Sequence, residues 1–176
     1  MINLRNFHDC LKKGLLRKIP PSNAKADESI NAAKKWIEEA EKSFENKALN
    51  SSVMGSYLAM FHSARAILFF DGFREKSHYC VARYLEGKYA KEKLLEDDWV
   101  QLLDHYRELR HDDQYSTSFF ATEEESENAI KKAKEFARRM EKLLEELKKP
   151  SCPKCGSKNI ENKACKKCGE VIKEIE

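Results

Sequence analysis

Residues 56–72 read SYLAMFHSARAILFFDG. Tyr57, Phe61, Ala64 and Leu68 recur at helical spacing, and Met60, Ile67 and Phe70 widen that stripe until His62, Ser63 and Arg65 are its polar interruptions. A helix apolar on nearly every side has to be enclosed by others, so the segments around it are expected to be walls with one apolar face each. Gly72 is expected to end it. The fold class that follows is all-α: an up-and-down bundle of four to five helices.

Outward from that rod, Ser22 to Lys47 carries Ile30, Ala33, Ile37, Ala40 and Phe44 at steps of three and four, a narrow helix–helix seam. The break before Ser52, with Asn50 or Ser51 as cap, is short, so this helix and the central one are expected to form an antiparallel hairpin. Met1 to Ile19 places Leu4, Phe7, Leu11 and Leu15 on one face and reads as a short first helix closed by Pro20 and Pro21. Its cations also fit a basic amphipathic helix for an anionic surface. Ser77 to Gly87 reads as a shorter helix broken by Gly87, and Glu92 to Arg110 as another, followed over His111–Ala121 by a loop or a frayed end. Thr122 with Glu125 has capping-box spacing. From there Ala129, Ala133, Phe136, Met140, Leu143 and Leu147 run on to Pro150 as the closing helix. Two domains are expected, a bundle over 1–149 and a small metal ribbon over 150–176.

The 176 residues suffice for one ordinary domain with an appendage, and 41% hydrophobic content can build a core. Charged residues make up 36% yet nearly cancel, to +3, which argues for solvated helix faces rather than a nucleic-acid surface spread over the whole chain. The longest unbroken apolar run, Ala66 to Phe70, is too short to cross a bilayer, and the N-terminus lacks the compact apolar run of a secretion signal. The expectation is a cytoplasmic protein with no membrane partner. Cys10 and Cys80 stand alone and read as small, partly buried thiols.

The other four cysteines form Cys152-Pro-Lys-Cys155-Gly and Cys165-Lys-Lys-Cys168-Gly. Each knuckle turns two sulfurs toward one point, and four thiolates complete a tetrahedron for one structural Zn²⁺ without an open position for catalysis. So short a segment has no core, so the metal is expected to supply its folding energy. Paired disulfides or a redox CxxC are the other uses of such spacing. Lys154, Lys158, Lys163, Lys166 and Lys167 make the ribbon a contact for phosphate or an acidic partner, or else offset the negative charge of a Zn(Cys)₄ centre.

Polar groups beside apolar helix faces occur at His62 and Arg65, at Lys76 and His78, and from Arg107 to Tyr115. Tyr57-Leu-Ala-Met-Phe-His-Ser-Ala-Arg65-Ala, then Lys76-Ser-His78, then Arg110-His-Asp-Asp-Gln-Tyr115 resemble the HEPN domain, in its small prokaryotic branch that reads YYAMFHAARA, KTH and RxxADY. The likeness covers about Ser22 to Leu147 and leaves the ribbon outside. It implies a helical bundle that forms a homodimer with a polar groove on the two-fold axis. It also implies RNA or a nucleotide as ligand, and a small nucleotidyltransferase as partner in a toxin–antitoxin or defence setting.

Many members of the family are metal-independent ribonucleases whose Arg is followed after four to six residues by a His, one group stabilising phosphorane oxygens and the other moving the proton. Here the earliest of those positions after Arg110 is Tyr115, and His111 stands directly beside Arg110. Tyrosine, with a pKa near 10, is a poor base at neutral pH. Three readings remain. In the first, Arg110 and Tyr115, with Arg65, Arg107 and the ribbon lysines, bind RNA or a nucleotide, or Tyr115 receives a nucleotide from the partner enzyme. In the second, Arg110 with His111 or Tyr115 cleaves RNA. In the third, the chain is a protein-binding scaffold and Arg110 belongs to an Arg–Asp network at a helix end.

Overall fold

The structure is a computed structural model describing residues 6–115, 120–157, 160–161 and 164–171. It divides into two compact units, 1–144 and 145–176.

The first unit is organised on α3 (Leu49–Asp71), which buries Tyr57, Met60, Phe61, Ala64, Ile67 and Leu68. An 18-residue stretch of α3 has the span and apolarity of a membrane helix, with mean hydropathy 1.3, although no single run in it is long. Its 67% burial among other helices is the signature of a core helix. Against it lies α2 (Asn23–Glu45), capped by Ser22, whose Oγ accepts from Lys25 N–H at 3.2 Å. Ala40 meets Gly55, and Ser29 Oγ donates to the His62 carbonyl at 2.8 Å, so the two helices run antiparallel as their short connection requires. The α3 N-terminus is capped by neither Asn50 nor Ser51. Asn50 Oδ1 instead accepts from the Ala121 N–H at 2.8 Å.

The closing helix α6 (Glu123–Lys148) starts in the expected capping box, with Thr122 N–H donating to Glu125 Oε2 at 2.8 Å and Glu125 N–H to Thr122 Oγ1 at 3.2 Å. Lys34–Glu141 and Lys134–Glu41 ion pairs register it antiparallel to α2, and the Phe136 ring meets Trp99 edge-on. Trp99 belongs to α5 (Asp97–Tyr115), which therefore starts later than expected and stays helical to Tyr115, where a loop or frayed end was expected. The delay has a local cause, a tight turn with Lys93 at φ +57°.

The N-terminal region departs most from expectation. The helix α1 covers only Phe7–Lys12, the chain turns at Gly14, and Leu16–Lys18 forms a strand, β1, where a helix to Ile19 was expected. It pairs antiparallel with β2 (Phe73–Glu75), placing Leu16 opposite Glu75 and Arg17 opposite Arg74. Gly72 ends α3 with φ +80°, and a Cβ there would stand 2.7 Å from the Ile19 carbonyl oxygen. Cys10 and Cys80 are not thiols but a disulfide joining α1 to α4 (His78–Leu85), both fully buried. Gly87 does not break α4, which runs on into a wider π-helical turn over Glu86–Ala90. There the missing side chain makes room for the Phe7 ring, which a Cβ would approach to 2.3 Å. Asp71 ties this corner together, its Oδ2 accepting from the Tyr84 and Tyr89 hydroxyls and its Oδ1 pairing with Lys88.

The second unit, 145–176, contains the end of α6 and a two-stranded ribbon, β3 (Ile160–Glu161) against β4 (Ala164–Cys165).

Candidate functional site

One face of the bundle gathers ionisable groups from α3, α4 and α5. The Tyr57 hydroxyl lies 2.6 Å from His78 Nδ1, and the His78 ring stacks on Phe61 with centroids 3.9 Å apart. Burial raises the Tyr57 pKa well above its ordinary value, although Arg110 and Arg107 pull it the other way. Burial, followed by the charges of Arg110, Arg65, His62 and Arg107, holds His78 down to about 4. At neutral pH both groups are therefore uncharged and share one proton in this bond, the phenol donating to Nδ1 in one imidazole tautomer and accepting from Nδ1–H in the other. His62 is likewise shifted down, by burial and then by Arg65.

The three arginines around this pair differ. Arg107 is tied within its own surroundings, its Nε to Asp104 at 3.2 Å and a terminal nitrogen to Glu108 at 3.1 Å. Asp104 also pairs with Arg83, and the two guanidinium groups lie over the Tyr79 ring. This Arg–Asp network ties α4 to the middle of α5 and contains Arg107, whereas the network expected at a helix end was one of Arg110. Arg65 pairs through Nε with the buried Glu75 at 2.9 Å and rests 4.8 Å from the Phe69 ring centroid. Arg110, half-buried beside Tyr57, Val53 and Met54, forms no ion pair among the described residues. The side chains of His111 and Tyr115 lie outside the described residues, although both positions belong to α5.

Sequence reading located His62, Arg65, His78 and Arg110 but not the bond between Tyr57 and His78. Both residues stood in the blocks that carry the family likeness. Their contact joins the body of α3 to the first residue of α4, and no spacing rule reports it.

The cysteine knuckles have matching geometry. In each, the first Cys N–H donates to the carbonyl five residues on (Ser157, Glu170), and the following glycine donates back to that Cys carbonyl, all at 2.8 Å. Gly156 and Gly169 close the turns at φ +68° and +74°, a conformation that side chains resist. Cys152 with Cys168, and Cys155 with Cys165, stand 3.5 Å apart, and the four Sγ atoms lie within 4.8 Å of one another. A tetrahedral ion with bonds of about 2.3 Å needs sulfurs roughly 3.8 Å apart, so the cluster can hold a metal ion. Burial alone raises the Cys165 thiol, but the N–H groups of Cys168 and Lys167 stabilise its thiolate and bring it down to about 6. Among the ribbon lysines, Lys154 pairs with Glu170 and Lys166 with Glu161, Lys167 is exposed, and Lys158 and Lys163 lie outside the described residues.

Two comparisons bear on this arrangement. A protein of Methanocaldococcus jannaschii bearing the name "Putative toxin" is 32% identical over 122 residues, which cover 69% of this chain and 85% of that protein. The sequence pattern of the HEPN domain matches residues 26–143, from early in α2 to near the end of α6, and so takes in the Tyr57–His78 pair and Arg110 while leaving the cysteine ribbon outside. With two thirds of its length inside that match, the chain belongs to the HEPN domain family.

Proposed function

We propose that this protein is a toxin-like HEPN module that binds RNA or a nucleotide on the face carrying Arg110, His78 and Arg65. In this reading it works as a homodimer with a nucleotidyltransferase partner, and its ribbon holds one structural zinc. The observation that carries it is a neutral imidazole kept among the cations Arg110, Arg65 and Arg107, with its Nε2 free of the bond to Tyr57. Arg110, whose guanidinium forms no ion pair among the described residues, suits phosphate oxygens, which accept only. Tyr115 is assigned to the base, by stacking. The name of the archaeal relative supports the toxin-like assignment.

Binding is favoured over cleavage on this face because the Arg–His spacing of the ribonuclease motif is not met: Tyr115, a poor base at neutral pH, stands at the earliest of the expected His positions after Arg110. For the ribbon, four sulfur ligands at tetrahedral spacing and no open position fit zinc in a structural role.

Incubating the zinc-loaded protein, its Cys10–Cys80 bridge intact, with end-labelled RNA tests this. The expected result is retention of intact RNA, weakened about tenfold or more by Arg110→Ala, since a charge-assisted phosphate contact is worth roughly 1.5–3 kcal/mol. Cleavage that disappears in Arg110→Ala replaces binding with an endoribonuclease. Neither retention nor cleavage leaves the protein-binding scaffold. Sedimentation should give a dimer and elemental analysis about one zinc per chain.

A further inference from the structure

We propose that the β1–β2 ribbon, with the groove beside it, is a phosphate track that carries single-stranded RNA away from the Arg110–His78 face. This rests on the RNA-binding reading above and makes its ligand a strand of several nucleotides rather than a single nucleotide.

The ribbon keeps a pairing that stability alone disfavours. Arg17 and Arg74 face each other directly across it, both exposed, and like charges at opposed positions repel. Residues 12–25 hold Lys12, Lys13, Arg17, Lys18 and Lys25 and no carboxylate. On β2, the acid beside Arg74 is Glu75, which is buried and turned to Arg65. None of Arg17, Lys18, Lys25, Arg74 or Lys76 pairs with a carboxylate among the described residues, whereas Lys34, Lys47, Arg83, Lys134 and Arg139 of the bundle each do.

Next to the ribbon, between α2 and α3, lies an open groove of about 370 Å³. Lys25, Arg65, Arg74 and His62 give it positive or neutral donors, Phe69 an aromatic surface, and Glu28 a single acid. Cations around an aromatic floor are the makings of a single-strand site, where phosphates are paired and bases stack, and the volume suits an unpaired nucleotide rather than a duplex. Arg65 links the groove to the Arg110 face: it lines the groove, and its guanidinium lies 5.8 Å from the centroid of the Phe61 ring on which His78 stacks.

The test uses the full zinc-loaded chain and fluorescein-labelled oligouridylates of about 4 and about 16 nucleotides, a range that brackets common single-strand site sizes. The long oligomer should bind at least tenfold tighter. Arg17→Gln/Arg74→Gln should remove that advantage, lower the slope of log affinity against log salt by about 1.4 for two lost contacts, and leave the short oligomer unaffected. Arg17→Lys/Arg74→Lys, which keeps the charge, should restore the advantage. Arg110→Ala should weaken both lengths. Long-oligomer affinity and slope unchanged in the Gln pair overturn the track, as does equal binding of both lengths by the unaltered chain. If neither length binds the unaltered chain, the RNA-binding reading itself is overturned, and the track with it.

Discussion

The bundle and the cysteine ribbon are stabilised by different physics. In the bundle, Tyr57, Met60, Ile67, Leu68, Phe136 and Met140 are all but removed from water, and each contributes on the order of 1.5–3 kcal/mol by burial. In the described residues of the ribbon beyond Pro150, the buried side chains are Cys152 and Cys165, both candidate ligands. A unit without apolar burial has to draw its folding energy from its ligands, and a unit with a core does not. Chelation should therefore separate the two, with the largest effect expected in this molecule. Structural zinc is worth about 10–16 kcal/mol in zinc-finger peptides, so with the proposed zinc in the ribbon a strong chelator should collapse the backbone amide resonances of 151–171 while the helical circular dichroism stays. A parallel fall of the helical signal would break the distinction.

The next effect belongs to the bundle alone. The Cys10–Cys80 bridge closes a separation of 70 residues, and loop-closure entropy puts its contribution at about 4 kcal/mol. Cys10→Ala/Cys80→Ala should lower the bundle's melting temperature by about 10 °C and leave the metal content unchanged. Thiol titration of the unreduced, metal-free, denatured protein reads the same bridge. Six reactive thiols would show that the bridge had not formed and would remove the reason for any difference in melting.

What was legible in the sequence follows from how local each signal is. The apolar rod, the α2–α3 hairpin and the Thr122–Glu125 box all depend on residues within a turn or two of one another, and all are present. The strands β1 and β2 are three residues each and pair Leu16 with Glu75, so no local pattern marks them. Leu4, Phe7, Leu11 and Leu15 read as one helical face, and Gly14 among them was the overlooked sign. Cys10 and Cys80 carry no local sign of each other. Gly87 was read by propensity as a breaker, when its role is to leave space for Phe7. In the candidate site the charged residues were legible as types, but their division of labour was not. Arg107 spends its donors on Asp104 and Glu108, and Arg65 meets Glu75 across a strand that had not been foreseen.

The smallest effect asks whether the bundle's own stability senses the site. His78 titrates at about 4 in the folded protein, against an ordinary value of 6.5 that the unfolded chain should approach. Between those values the unfolded chain takes up a proton that the folded one refuses. This contribution is therefore complete above about pH 6.5, declines as pH falls toward 4, and is fully lost below it. Its size is on the order of 1–2 kcal/mol once screening at the exposed edge of the ring is allowed for. Carboxylates titrate in the same range, so the readout is a difference: urea midpoints at pH 7 and pH 4.5 for the wild type and for His78→Gln, whose amide oxygen can still accept from Tyr57. The wild type should lose more on acidification than the variant, and parallel losses would sink the assignment. The same proton reports on the ligand. Because the cations Arg110, Arg65 and Arg107 help depress this histidine, a bound phosphate that neutralises them should raise its pKa, visible as a shifted imidazole titration by NMR. Added RNA that leaves the titration where it was would place the strand away from His78.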